Sequence, residues 1–346
     1  MLTCKCGIPV GDLADFAAIS ADLDEARRVA RNLSGQLARE KSRTSALVDA
    51  VMTAAKTSAI SQGRGEVVAP KRDQRKNAAE IALVHTTDWQ TGKGTADYSS
   101  AVTEARIAKL ADKVRSLTAI QRADHPVKQC VVLLGGDMIE GVSIFPGQAF
   151  EVELTLYDQV FAAARIIESF VLSMLSEFES VSVWDIHGNH GRVGRKGDIP
   201  ATDNMDRIAY RIAMDRMVSQ RRLTWNHASS WHQIVEVGAY RALLVHGDQI
   251  KSFGGNLPAY GIIRKTSAWK AGVLPPFRDS YVGHFHTHQD LNLAGGGMVY
   301  MTGSPESANE YAREFIAATG TPSQRLHFID PRRGRVTAQY RVDLDD

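Results

Sequence analysis

Five short fragments carry side chains that bind hard divalent ions: Thr87-Asp88-Trp89-Gln90, Gly136-Asp137-Met138-Ile139-Glu140, Gly188-Asn189-His190, His246-Gly247-Asp248 and Gly283-His284-Phe285-His286. Each alone has an ordinary explanation. A Gly-Asp pair often marks a turn, an isolated Asn-His a surface loop, and His246 the end of a strand. Jointly, they supply Asp, Gln, Asp, Asn, His, His and His between positions 88 and 286. That donor set of oxygen and nitrogen without thiolate suits two adjacent ions of the Mn²⁺, Fe or Zn²⁺ kind. It points to metal-assisted hydrolysis of a phosphate ester.

The elements around the fragments fit such a site. From Ile81 onward, apolar runs of strand length alternate with helical patterns. Ile81–Val84 precedes Asp88, Val131–Leu134 precedes Asp137, and Val181–Ile186 precedes Asn189. Arg241–Val245 then precedes His246, and Ser280–Val282 precedes His284. Cys130 opens the second of these runs and reads as core. Helices are expected over residues 100–120, 154–178 and 203–219, and further strands at Ile234–Val237, Met298–Met301, Leu326–Ile329 and Val336–Val342. In open α/β sheets the crevice at strand ends is where ligands gather. If Gly283–His286 continues extended, His284 and His286 share one face while Phe285 turns into the core.

Residues 12–60 read differently. Ala26, Ala30, Leu33, Leu37, Leu47, Val51 and Ala54 fall near one seam, interrupted by Glu40 and Thr44 and with Ser34-Gly35 as a bend, which predicts one long helix or a helical hairpin. That seam makes the N-terminal helix the expected route to a homo-oligomer. Residues 61–76 contain Gly63, Gly65, Pro70 and a charge run and read as a linker. Two domains follow: an N-terminal helical extension with its basic linker over 1–76, and a catalytic domain over 77–346.

The formal net charge of +2 on 346 residues hides an uneven layout. Positions 27–76 carry twelve basic and four acidic side chains. Such clustering attracts a polyanion such as nucleic acid, although a solvated helix face and a basic linker have the same composition. No stretch approaches about 18 uninterrupted apolar residues, and the opening Met1-Leu2-Thr3-Cys4-Lys5-Cys6-Gly7 lacks a secretory pattern. The expectation is no membrane and a cytoplasmic location. Three cysteines suit a reducing compartment. Cys4 and Cys6 lack a second Cys/His pair at usable spacing and read as free thiols.

In order and spelling, the five fragments resemble the calcineurin-like metallophosphoesterase superfamily, whose pattern is D-x-H, G-D-x-x-D/E, G-N-H-D/E, a lone H and G-H-x-H. The resemblance runs from Ile81 to the end of the chain. It implies an α/β fold of two facing mixed β-sheets flanked by helices, with two divalent ions at one edge, Mn²⁺ being the expected metal. It further implies that Asp137 bridges the ions, that Asp88, Gln90 and His286 complete the first, and that Asn189, His246 and His284 complete the second. His190 would be the general acid, a task suited to a side chain titrating near neutrality. Two positions depart from the pattern. Gln90 stands where most members have His; its carbonyl oxygen can still bind a hard ion, and a weaker first site is the consequence. Gly191 stands where most have an acid.

Other residues take supporting readings. Glu140 and Asp248 are expected to brace ligands from behind. Arg192, Arg195 and Lys196, on the Gly-rich loop after His190, could grip substrate phosphates. Trp89 either stacks on a base or packs, His85 packs in or near its strand, and His288 is a rim residue. The wording around Asp88, Asp137 and His190 is similar to the double-strand-break repair nuclease branch and to phage-encoded relatives. That implies a Mn²⁺-dependent nuclease with DNA as partner, although no separate DNA-capping domain is evident. The alternatives are an enzyme for small substrates, such as cyclic nucleotides or phosphomonoesters, and a non-catalytic scaffold of the same fold.

Overall fold

The computed structural model describes residues 21–36, 66–75, 78–145, 147–194, 200–250, 258–306 and 321–345, with isolated helical positions between 39 and 57. The chain forms two compact units, Met1–Ser58 and Ala59–Asp346. In the first, residues 21–36 are helical and exposed throughout. Leu23, Val29 and Leu33 all face solvent, and the Arg28 guanidinium meets Glu25 at 3.0 Å one turn away. The seam positions Leu37, Leu47, Val51 and Ala54, like Cys4 and Cys6, lie outside the described residues.

The second unit runs β1 (Glu80–Thr86), α1 (Ser100–Gln121), β2 (Val127–Leu134), α2 (Leu156–Glu177), β3 (Ser180–Asp185), α3 (Met205–Arg216), β4 (Leu223–Asn226), β5 (His232–Val237), β6 (Tyr240–Val245), α4 (Ala259–Ala268), β7 (Asp279–Val282), β8 (Gln289–Asn292), β9 (Met298–Met301), β10 (Ser323–Asp330) and β11 (Arg335–Asp343). One sheet has the order β11-β10-β1-β2-β3-β4 and the other β5-β6-β7-β9-β8. Both are mixed. β1 to β4 are mutually parallel, with β10 antiparallel to β1. β6, β7 and β9 are parallel, with β5 and β8 antiparallel at the edges. The sheets face each other through a shared apolar core in which Leu83, Leu133 and Ile186 of one side meet Val235, Leu244 and Tyr281 of the other.

Local chemistry explains the helix starts. The side-chain oxygens of Ser99, Thr155 and Asn204 each accept a backbone N–H in the first turn of α1, α2 and α3, which satisfies one orphan donor per helix. By length and composition α2 could cross a membrane, but 67% of its apolar window is buried inside the fold. It is the core helix, packed on α1 and α3. The described part of the linker belongs to the second unit and is bonded to its body. The Val67 amide donates to Gln220 Oε1 (2.9 Å), Arg222 Nη2 donates to Val67 O (3.0 Å), and the Asp73 amide donates to Glu179 Oε1 (3.0 Å). These anchors lie just before β3 and β4, at the end of the sheet opposite to where those strands release their loops.

Candidate metal centre

The ligand-bearing fragments occupy the C-terminal ends of β1, β2, β3, β6 and β7. Loop-to-loop backbone bonds stitch them together: Asp88 N to Gly136 O, Gln90 N to Asp137 O (both 3.0 Å) and Gly283 N to His246 O (2.9 Å). Six non-glycine residues among those described have positive φ, and five are expected ligands: Asp88 (56°), Gln90 (46°), Asp137 (53°), His284 (68°) and His286 (51°). The left-handed region costs an L-residue about 1 kcal/mol. Such outliers persist only where the surroundings over-determine them, and they cluster at functional sites.

This geometry corrects the expectation for Gly283–His286. The segment is not extended. Left-handed backbone at both histidines, with the Phe285 amide donating to Gly283 O (2.8 Å), makes it a tight turn. Phe285 is half-buried against the apolar cluster on the outer side of the second sheet. The two imidazoles therefore go to different neighbours. His284 joins Asp137 and His246, the three offering donor atoms within 4.8 Å of one another. His286 Nε2 lies 3.5 Å from Asp88 Oδ1 and 3.3 Å from Gln90 Nε2. The His284 amide donates to both oxygens of Asp88 (3.0 and 2.9 Å), which joins the two groups.

His246 carries the chemistry most clearly. It is fully buried, and its Nδ1 lies 2.8 Å from the Gly135 carbonyl, which can only accept, so Nδ1 holds a proton. In the neutral ring Nε2 is then a lone pair. It faces Asp137 Oδ2 at 2.9 Å and Asn189 Oδ1 at 3.2 Å. Three electron-rich atoms converging in a buried space require a cation among them, either a proton or a metal. In the metal-free chain burial disfavours the charged ring, yet Asp137 outweighs it and raises the His246 pKa to about 10. His284 goes the other way: burial and the neighbouring His246 hold it down to about 4, so it stays a neutral donor.

Further observations bear on whether metal ions fit. Gln90 Oε1 is buried with no hydrogen-bond partner, which an ion would satisfy. A Cβ at Gly188 would lie 2.6 Å from Asp137 Cγ, and one at Gly283 would lie 2.6 Å from Asp88 Oδ2. Only glycine lets the backbone come this close. The donors are of the kind that fits divalent ions: Asp137, His246 and His284 form one group that could hold an ion, with Asn189 against His246, and Asp88, Gln90 and His286 form a second gathering of donors.

His190 stands beside this group. Its amide donates to Asp137 Oδ1 (2.7 Å), and its Nδ1 lies 2.8 Å from Glu140 O and 3.4 Å from Glu140 Oε2. Gln148 Nε2 donates to Glu140 O and Oε1 (2.7 and 2.9 Å). Burial opposes protonation of His190, but Asp137 and Glu140 prevail and lift its pKa to about 9. Glu140 thus braces His190. Asp248 is half-buried and bonded to its neighbour Gln249. Arg192 is half-exposed with Nε donating to Gly194 O (3.3 Å); Arg195 and Lys196 lie outside the described residues. Trp89 packs, being fully buried with Nε1 donating to Thr86 Oγ1 (2.6 Å), and so does not present its ring for stacking. His85 is buried against Thr302, and His288 is half-buried.

Three residues escaped sequence reasoning. Asp206, fully buried, accepts the amides of Asp137 (2.9 Å), Met138 (3.0 Å) and Gly188 (2.9 Å), tying two ligand loops together. Its signal was the Asn204-x-Asp206 start of α3. Asn204 also explains Gly191: a Cβ there would lie 2.9 Å from the Asp206 amide and 3.1 Å from Asn204 Cγ, so no acidic side chain has room. Lys93 and Glu306 form a buried ion pair at 2.7 Å beside His286. Lys93 is three residues past Gln90, but nothing in the chain links it to Glu306.

No family model matches this chain, and no curated protein does. Solved structures with partial similarity include an archaeal phosphodiesterase (10% identity, 75% of this chain and 99% of that one, TM-score 0.32). Vps29 of Chaetomium thermophilum is another (10%, 77% and 100%, TM-score 0.34), as is a 5'-nucleotidase from Candida albicans (10%, 80% and 54%, TM-score 0.31). Likenesses at this level of identity and overlap decide nothing about chemistry, which rests on two facing mixed sheets and the donor atoms gathered at their shared edge.

Proposed function

We propose that this protein is a two-metal phosphodiester hydrolase acting on DNA. The observation that carries the reading is the buried convergence of His246 Nε2 on Asp137 Oδ2 and Asn189 Oδ1, with His284 in the same cluster. Two divalent ions, with Mn²⁺ the expected species, would supply an activated water and neutralise charge on the phosphoryl oxygens.

The chain's own residues do the rest. Asp137, with its amide tied to Asp206 and its Oδ1 to the His190 amide, is an anchored carboxylate that would bind both ions. His190 is oriented through Nδ1 by Glu140, which leaves Nε2 as the nitrogen that can deliver a proton. As the bond from phosphorus to the leaving oxygen breaks, that proton passes to the oxygen, so no free alkoxide has to depart. Arg192 stands two residues beyond His190, where a guanidinium can hold a phosphate oxygen. The choice of DNA is supported by the twelve basic side chains between 27 and 76, because dense positive charge favours a polymeric phosphate.

The test is cleavage of labelled linear double- and single-stranded DNA with Mn²⁺, comparing the full chain with Asp137→Ala and His190→Ala. Cleavage that both substitutions abolish is the expected result. If wild type cuts neither DNA but hydrolyses a cyclic nucleotide or a phosphomonoester, the small-substrate reading replaces this one.

A further inference from the structure

We infer that the buried Lys93–Glu306 pair is a positioning device for the first metal site, with Glu306 orienting His286 and Lys93 supplying the counter-charge. This rests on the metal reading above.

Both side chains are almost completely inaccessible, at 3% for Lys93 and 1% for Glu306. A buried ion pair is poor value for stability alone, because desolvation of two charges offsets most of their attraction. Its placement is the informative part. His286 turns Nε2 toward Asp88 and Gln90 and turns Nδ1 toward Glu306 Oε2 at 3.7 Å. Glu306 Oε2 is buried and has no hydrogen-bond partner. A carboxylate facing the far nitrogen of a ligating imidazole keeps the proton on that nitrogen and the lone pair on the metal side. The 3.7 Å separation is that of a charge contact rather than a hydrogen bond.

The backbone supports the same function. Lys93 lies on the loop that delivers Asp88 and Gln90, and its amide donates to Gln90 O (3.1 Å). Glu306 is tied back to the same loop: its amide donates to Ser304 Oγ (2.9 Å), whose hydroxyl donates to Asp88 O (2.7 Å). Ligands and brace therefore move as one piece. Among Asp88, Gln90 and His286 the single imidazole has a buried carboxylate behind it, and Lys93 balances that charge.

The test is calorimetric titration of Mn²⁺ into the metal-stripped full chain, with melting of the metal-free protein as the control. Wild type should take up two ions. Glu306→Gln should weaken one of them by roughly 10–100-fold and leave the other within about threefold. Because Glu306→Gln strands the Lys93 charge, the double variant Lys93→Met/Glu306→Gln is run beside it. It should melt close to wild type and still show one weakened site. Unchanged affinity for both ions in the double variant overturns the inference while the metal reading stands. Equal loss at both sites together with a lowered melting temperature also overturns it, since that is what a merely structural pair would do. A wild type that binds no Mn²⁺ overturns the metal reading and this inference with it.

Discussion

Gly188→Ala is the sharpest perturbation of the proposed centre. The residue touches no ion in the proposed scheme, yet a Cβ there would lie 2.6 Å from Asp137 Cγ and closer still to its Oδ1 and amide, where ordinary contact begins at 3.4 Å. The carboxyl must withdraw by roughly 1 Å, and it cannot do so freely, because its amide is held by Asp206 and its Oδ1 by His190. Disturbing the support of a ligating carboxylate costs metal affinity roughly 10–100-fold, up to about 2.7 kcal/mol. Mn²⁺ titration should therefore show at least one ion bound roughly 10–100-fold more weakly, with overpacking lowering stability by about 1–3 kcal/mol. Gly295→Ala is the control. It has φ +80° and nothing within 4 Å, so backbone strain of about 1 kcal/mol is the only expected effect, with metal affinity unchanged. Wild-type affinity for both ions in Gly188→Ala would refute the crowding argument and the role given to Asp137.

Two further outcomes follow from the same geometry. His190→Ala should slow DNA cleavage by about 10²–10⁴-fold but slow a p-nitrophenyl phosphodiester far less, because that phenolate leaves without a proton; equal losses on both would remove His190 from the acid role. His85 is buried, and burial first and Arg325 second hold its pKa down to about 3, below the unfolded value near 6.5. Its contribution is complete above about pH 6.5 and lost as pH falls toward 3, about 2 kcal/mol being gone at pH 5. Unfolding free energies from urea titration of the metal-free chain should fall by about 2 kcal/mol more between pH 7.5 and 5 in wild type than in His85→Gln. An equal fall in the two would contradict it.

Much of this architecture was legible in the chain because strand and helix signals are local. The apolar runs ending at Asp88, Asp137, Asn189, His246 and His284 became β1, β2, β3, β6 and β7, and α1 to α3 fell where periodicity put them. β4 and β8 were missed, since Leu-Thr-Trp-Asn and Gln-Asp-Leu-Asn are short and half polar; they are strands because a neighbour pairs with them. The same-face placement that an extended Gly283–His286 would give does not apply, because alternation is a property of unstrained backbone and here the fold holds both histidines left-handed.

Residue types, spacing and order along the chain were enough to nominate the seven donors and His190, because each motif is a local message set at a strand end. Which donors group together, what holds them and what balances their charge depended on the tertiary structure. Asp206, Lys93 and Glu306 work by touching loops far away in sequence, and the need for a cation at His246 arises only when the Asp137 and Asn189 oxygens close on Nε2 while the Gly135 carbonyl holds the proton of Nδ1. Contact of that kind, and the low dielectric that gives it force, exists only once the two sheets have packed.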